Sequence, residues 1–336
     1  MSAPGVSGLA RQEWRPAAGL EVLRLRARLL AMVHGFFAER GVMEVDTPVL
    51  SSAAVTDPHL DSFATAYAGP GTGGPVLYLH TSPEFPMKRL LAAGSGCIYQ
   101  IAKVFRNGEA GRLHNPEFSL LEWYRLGFDS QRLMAEVAEL VTLLLRDRIP
   151  LQAPEYLSYG AAFEGYLELD PYTATVAELA ACVAARALRA PPGMPPDDPT
   201  PWLDLLLSHC IEPRLGQGRL SFIYDYPAAQ AALARIRPDQ PPVAERFELY
   251  LDGIELANGF QELTDAAEQC RRFERDNRRR AARQLPPMPV DERLLAALEF
   301  GLPDCAGVAL GLDRLLMIAA GKTWLRDVLS FPLERA

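Results

Sequence analysis

The chain has 336 residues, with 34 Lys+Arg against 42 Asp+Glu, a formal net charge of −8 and 49% hydrophobic residues; this fits one large or two ordinary globular domains and excludes a disordered chain. The acidic balance disfavours a protein that coats nucleic acid, because such binding runs on phosphate neutralisation. Cys97, Cys182, Cys210, Cys270 and Cys305 are widely spaced, with no Cys-x-x-Cys pair. With no secretory signal and no unbroken apolar span, the sequence reads as cytoplasmic and free of membrane contact.

Residues 1–19 are rich in Ala, Gly, Ser and Pro and lack periodicity, so they are expected to form a disordered leader before a single domain over 20–336. From Leu20, apolar residues recur at Leu25, Leu29, Val33 and Phe36 with arginines between them, which predicts an amphipathic helix capped near Gly41. Val42 to Leu50 alternates but carries Pro48, as a boundary strand does. A helix is predicted through Pro86–Leu91, strands over Cys97–Phe105 and Glu117–Tyr124, and a long helix from Ser130 to Arg148. Residues 175–237 are Ala- and Leu-rich and broken by a proline run at 191–199, and are expected to be a helical insertion. Arg246–Leu251 and Ile254–Phe260 flank Asp252-Gly253, the dipeptide that best fits a type I′ hairpin turn. An arginine-rich helix is predicted over Asp265–Arg283, then a Gly-rich strand-to-helix step at Gly307–Leu316. Antiparallel strands flanked by helices make this an α+β protein.

Three clusters carry chemistry. On the hairpin, a two-residue turn sets Glu248 against Ala257 and places Glu248 and Glu255 on one face, where two neighbouring carboxylates call for a cation such as Mg²⁺. The alternative is a pair of solvated acids. Asn258, Phe260 and Glu262 follow at once. The loop from Phe105 to Phe118 offers an arginine for a phosphate and an aromatic for a base, or is simply an exposed connection. In the third, Gly307 to Arg314, small residues let a backbone approach a ligand. The arginine-rich helix, with Glu268, Glu274 and Asp276 interleaved, reads first as a solvated face and alternatively as a docking face for an acidic protein.

Taken in order, Asp46-Thr47-Pro48, Thr81-Ser82-Pro83-Glu84, Phe105-Arg106-Asn107, His114-Asn115-Pro116-Glu117-Phe118, Glu255-Leu256-Ala257-Asn258-Gly259-Phe260 and Gly311-Leu312-Asp313-Arg314 resemble the catalytic domain of class II lysyl-tRNA synthetases over residues 20–330. The resemblance is greatest to the short paralogues that modify elongation factor P, the elongation factor P (R)-β-lysine ligases. It rests on Asn115–Phe118 with Leu121–Tyr124, and on Arg275–Asn277 with Arg280–Arg283. About 45 residues precede Pro48, too few for the anticodon-binding barrel of a bacterial lysyl-tRNA synthetase. Ala309 stands where those synthetases have glycine.

The resemblance implies an antiparallel class II fold, a homodimer formed through residues 25–48, and an ATP-dependent ligase that makes a β-lysyl-adenylate and passes it to a lysine of elongation factor P without tRNA. Arg106 and Arg314 would be catalytic, the first on the α-phosphate, the second over adenine and on the γ-phosphate. Asn107, Gly108, Glu109, Asn115, Phe118, Glu255, Leu256 and Gly311 would complete the ATP site, with Phe118 stacked on adenine. Glu248 and Glu255 would hold Mg²⁺. Ser82, Pro83, Glu84, Glu122, Tyr124, Asn258, Phe260, Glu262 and Ala309 would bind the amino acid. Two departures stand out: Gly108 replaces a signature glutamate, with Glu109 as its possible substitute, and Gln261 replaces a histidine. Competing readings are a truncated synthetase using α-lysine and a non-catalytic amino-acid-binding protein.

Overall fold

The computed structural model describes residues 14–70, 74 and 76–336, so the expected leader lies outside the described residues up to residue 13. Its last part is docked: the Ala17 and Ala18 amides donate to Ser330 O and Leu329 O at 2.8 and 3.1 Å.

Helix α1 (Leu20–Glu39) ends before Gly41, whose φ of +63° supplies the left-handed turn that stops it. Short strands β1 (Met43–Glu44) and β2 (Leu50–Ser51) replace the single strand expected over 42–50, because Pro48 cannot donate to a ladder. Strands β3 (Ala64–Ala66) and β4 (Val76–Leu79) join β2 in a small antiparallel sheet. Helix α2 (Glu84–Ala92), strands β5 (Ile98–Phe105) and β6 (Glu117–Leu126), and helix α3 (Ser130–Leu145) follow the sequence expectation closely. Asp129 caps α3 by accepting from the Arg132 amide.

The middle of the chain departs from expectation. Strand β7 (Gln152–Ser158) leads into helices α4 (Tyr159–Leu167), α5 (Val176–Ala185) and α6 (Thr200–Leu206), but residues 219–227 form strand β8 (Arg219–Pro227) of the main sheet. The helical insertion therefore ends near Arg214 and not at 237. Buried on both sides, β8 shows no apolar–polar alternation and blends into its Leu-rich surroundings. Strand β9 (Ile236–Arg237) precedes the hairpin of β10 (Val243–Leu251) and β11 (Ile254–Gln261), with Asp252 and Gly253 at φ +50° and +72° as the turn requires. Helices α7 (Ala266–Ala282) and α8 (Glu292–Gly301), strand β12 (Cys305–Gly311) and helix α9 (Leu312–Ala319) complete the fold.

The main sheet runs β1-β5-β6-β12-β11-β10-β8-β7, with β9 beside β10. All its pairs are antiparallel except β1–β5 and β7–β8. One face packs on α1, α3 and α9 through residues such as Phe37, Trp123, Val141 and Leu310. The other face lines a cleft. Among the described residues no helix is long and apolar enough to cross a membrane.

Candidate active site

Strand β12 lies in the middle of the sheet and forms the floor of the cleft. Gly307 pairs with Tyr124 on β6 and Phe260 on β11, and Ala309 pairs with Glu122 and Asn258. Small residues at 307 and 309 thus lie between four larger side chains of the same face, while Ala306, Val308 and Leu310 alternate into the core. The cleft, about 760 Å³, is bounded by these residues, by Ser82 and Glu84 at the start of α2, by Arg89 in its last turn, and by Arg106. Pro83 is the residue before α2, and Glu84 lies in its first turn.

One register detail differs from expectation. Tyr250 pairs with Glu255 but Leu249 pairs with Ala257, so Leu256 is an extra residue in β11, and Glu248 faces Asn258 rather than Ala257. This bulge turns Asn258, Phe260 and Glu262 onto the face of Glu248 and Glu255, and sends Ala257 into the core.

At one end of the cleft three carboxylates gather, and two of them meet one ammonium. Lys88, buried on α2, lies 2.6 Å from Glu84 Oε1 and 2.6 Å from Glu262 Oε2. Glu122 accepts from Ser82 Oγ at 2.6 Å and from the Tyr124 hydroxyl at 2.7 Å. Burial, then the charge of Glu84, pushes Glu122 up to about 8; burial pushes Glu262 up to about 7 against the pull of Lys88. Burial works against the charge of Lys88, but Glu262 and Glu84 together hold its pKa above the ordinary value. The buried Asn258 Oδ1 has no protein partner. A pocket with surplus carboxylate and an unpaired acceptor is built for an ammonium group.

Proton linkage follows. Near neutral pH the ligand-free protein holds protons on Glu122 and Glu262 that ordinary carboxyls, at 4.5, have lost. An ammonium ligand favours the ionised forms, so binding should release protons at pH 7 and release fewer above about pH 9. Because the native state binds more protons than the unfolded chain from 4.5 up to about 8, these groups make the ligand-free protein less stable as pH rises through that window. Calorimetry of the binding of a diamino acid in buffers of different ionisation enthalpy measures the release; net proton uptake would contradict this charge assignment.

The opposite end is basic. Arg106 follows β5, its guanidinium 5.0 Å from the Phe118 ring centroid and 3.8 Å from Glu109, and its buried Nε has no partner. Gly108 has φ +83°, a conformation that a glutamate there would adopt only with strain, and Glu109 turns to Arg106 instead. Arg314, in the first turn of α9, donates to Glu255 O at 2.8 Å, lies 3.4 Å from Glu255 Oε2, and meets His114 Nε2 at 2.9 Å. Burial and the charge of Arg314 lower the His114 pKa. Asp313 is buried and fixes this helix start by accepting from Arg26 on α1 and from the Ser119 amide.

Glu248 accepts from the Tyr226 and Tyr250 hydroxyls and pairs with Arg246. Burial and the charge of Glu248 raise the pKa of Glu255. That mutual repulsion fits a pair that takes up a cation, and Mg²⁺ is held by one or two carboxylates plus phosphate oxygens rather than by a full protein cage. Among the described residues no group of three or more His, Cys, Asp or Glu could hold a metal ion.

The family model for class II tRNA synthetases (D, K and N) matches residues 13–335. An elongation factor P–(R)-β-lysine ligase of Vibrio vulnificus is 52% identical over 325 residues, 96% of this chain and 99% of the relative. The proteins of that name from Salmonella gallinarum and Vibrio cholerae are 52% and 50% identical over 96% and 98% of this chain, and 98% and 100% of theirs. The chain belongs to the class II tRNA synthetases, in the elongation factor P–(R)-β-lysine ligase family. As a member of this ligase family it is an ATP-dependent enzyme.

Most of the residues that the sequence singled out converge on the cleft or its basic end. Asn115 and Leu256 do not contribute side chains there. Asn115 donates to Glu117 O and accepts from the Leu333 amide, beside a second cavity at the C-terminal turn. Leu256 is buried in the core, leaving only its backbone for a ligand; Gly311 faces its carbonyl. Gln261 turns away from the cleft as alternation predicts and donates to Asp304 and Cys305 O. Sequence reading missed Lys88, although its place four residues after Glu84 on one helix was a usable signal. It also missed Arg246, for which no local signal exists.

Proposed function

We propose that the enzyme activates (R)-β-lysine as an adenylate and transfers it to a lysine of elongation factor P, without tRNA. The observation that carries this reading is a single cleft with surplus buried carboxylate at one end, Glu84, Glu122 and Glu262 against Lys88, and unpaired guanidinium donor capacity at the other, Arg106. A diamino acid places its ammonium groups in the first and its carboxylate beside the second. The names of the relatives support the choice of amino acid and acceptor, and the −8 charge supports a protein acceptor over tRNA.

In this mechanism Glu84, Glu122 and Glu262 bind the ammonium groups, with Asn258 Oδ1 as a further acceptor and Ser82 and Tyr124 holding Glu122 in place. Phe260 and Ala309 set the shape of the pocket. The substrate carboxylate attacks the α-phosphorus of ATP, the bond to the bridging oxygen breaks, and pyrophosphate leaves. Arg106 stabilises charge on the α-phosphoryl oxygens, while Phe118 and Arg314 sandwich the adenine. The backbones of Asn107, Gly108 and Glu109 border the nucleotide. Mg²⁺, held by Glu248 and Glu255, would neutralise charge on the departing phosphates. The ε-amine of the acceptor lysine then attacks the acyl carbon, forming an amide and releasing AMP.

Pyrophosphate exchange with α-lysine and (R)-β-lysine in parallel, followed by mass analysis of elongation factor P, tests this reading. Exchange favouring (R)-β-lysine, with the matching mass increase, is expected. Exchange with neither amino acid would favour a binding protein, and efficient charging of tRNA with α-lysine would sink the proposal.

A homodimer is part of the same reading. Met43 on β1, Val49 and Leu50 at the start of β2, and Val76 on β4 are large apolar side chains left exposed, which a subunit contact would cover. Light scattering is expected to give the dimer mass; a monomer at micromolar concentration would refute it.

A further inference from the structure

Helix α7 is not simply the solvated face that its sequence suggests. Arg271 and Arg278 do lie in solvent, but Arg272 and Arg280 turn inward, 3% and 0% exposed. Arg272 donates to Ala232 O and Ala234 O, both at 2.8 Å, in the segment between β8 and β9. Arg280 donates to Pro286 O at 2.9 Å, Asp57 O at 3.1 Å, Leu60 O at 3.4 Å and Asp61 Oδ1 at 2.9 Å.

The segment between β2 and β3 that contains Asp57, Leu60 and Asp61 borders the cleft and has no regular structure of its own. Its path therefore depends on such side-chain ties. A second tie runs from Thr56 Oγ1 to Asp276 on α7, at 3.1 Å. The Asp61 carbonyl in turn accepts from the Asn107 amide at 2.8 Å, and Asn107 is the residue after Arg106.

We infer that Arg280 is a positioning residue for the nucleotide end of the cleft: its guanidinium fixes the 57–61 loop, whose Asp61 carbonyl pins Asn107 and so sets where Arg106 points. Only a planar fork with several donors serves three carbonyls and a carboxylate at once; an ammonium cannot. A Cβ-level change at Arg280 would leave buried carbonyls without donors and let the loop drift, and Arg106 with it. The inference rests on the role given to Arg106 in the proposed function.

The test compares Arg280→Lys and Asp61→Ala with Arg278→Ala, an exposed control on the same helix. Pyrophosphate exchange gives KM for ATP and for (R)-β-lysine, calorimetry gives the ATP Kd without turnover, and thermal unfolding reports the fold. Arg280→Lys is expected to raise the ATP KM and Kd roughly tenfold, as expected for losing a charged contact. Asp61→Ala, which breaks a half-exposed pair, should raise them about threefold. In both, KM for the amino acid should stay within about twofold, and Arg278→Ala should match wild type. Equal rises in both KM values, or an unchanged ATP Kd in either folded variant, would overturn the inference. If Arg280→Lys does not fold, Asp61→Ala decides alone. If wild type catalyses no exchange, the proposed function fails, and the tether is judged on the ATP Kd.

Discussion

Replacing Arg106 by alanine is expected to lower the rate of pyrophosphate exchange by roughly 10²–10³-fold, the loss seen when one preorganised donor to a developing oxyanion is removed. The size follows from where Arg106 sits. Its guanidinium lies 5.0 Å from the Phe118 ring centroid, its buried Nε has no protein partner, and Glu109, its ionic neighbour, is 3.8 Å away, so donor capacity is left for a phosphoryl group. A factor of 10³ corresponds to about 4 kcal/mol of transition-state stabilisation. Arg106→Lys should recover little, since a point charge cannot reproduce two parallel donors. Calorimetry of amino-acid binding without ATP supplies the control. That affinity should stay near wild type, and its collapse along with exchange would mean that Arg106 acts on the fold and not on the phosphate.

Gly307→Ala should have the second large effect, on the amino acid rather than on ATP. A Cβ at 307 would come within 2.5 Å of Tyr124 Cδ1 and press equally on Glu262 Oε1. Neither neighbour can yield cheaply. Tyr124 is buried and donates to Glu122, and Glu262 is buried and paired with Lys88. The methyl group therefore displaces two pocket walls at once. KM for the amino acid is expected to rise about 100-fold while KM for ATP moves less than about threefold, and the overpacking should cost about 1–3 kcal/mol of stability. Steady-state exchange kinetics and a thermal melt check both. An unchanged amino-acid KM in a folded variant would show that Tyr124 and Glu262 do not contact the substrate.

Much of this site was legible from local sequence because strand alternation fixes which side chains share a face. Glu122 and Tyr124, Asn258, Phe260 and Glu262, and Gly307 and Ala309 are each spaced by two, and each set lies on the cleft face. The turn at Asp252-Gly253 was equally readable, since few dipeptides accept two positive φ values. Counting back from that turn nevertheless put Ala257 on the face of Glu248. The extra residue at Leu256 corrects the register by one, and both Leu256 and Ala257 are apolar enough to be buried. Nothing in their chemistry reveals which of them bulges.

Burial of charge was the other thing that sequence could not supply. Arg272 and Arg280 read like Arg271 and Arg278, their neighbours on one helix, yet two are clamps and two are solvated. The difference lies in carbonyl groups contributed by residues 57–60 and 232–234, distant in the chain. Strand β8 was lost among Leu-rich helices for a similar reason, because a strand covered on both faces has no period to read.

The sequence by itself determined the α+β class, the hairpin and the chemical types assembled around the cleft, because these depend on propensity, period and turn stereochemistry within a few residues. Tertiary structure decided the register at Leu256, the pairing of Lys88 with two carboxylates, the raised pKa values of Glu122 and Glu262, and the inward turn of Arg280. Each of these depends on desolvation and on partners far along the chain, and desolvation is a property of the packed molecule.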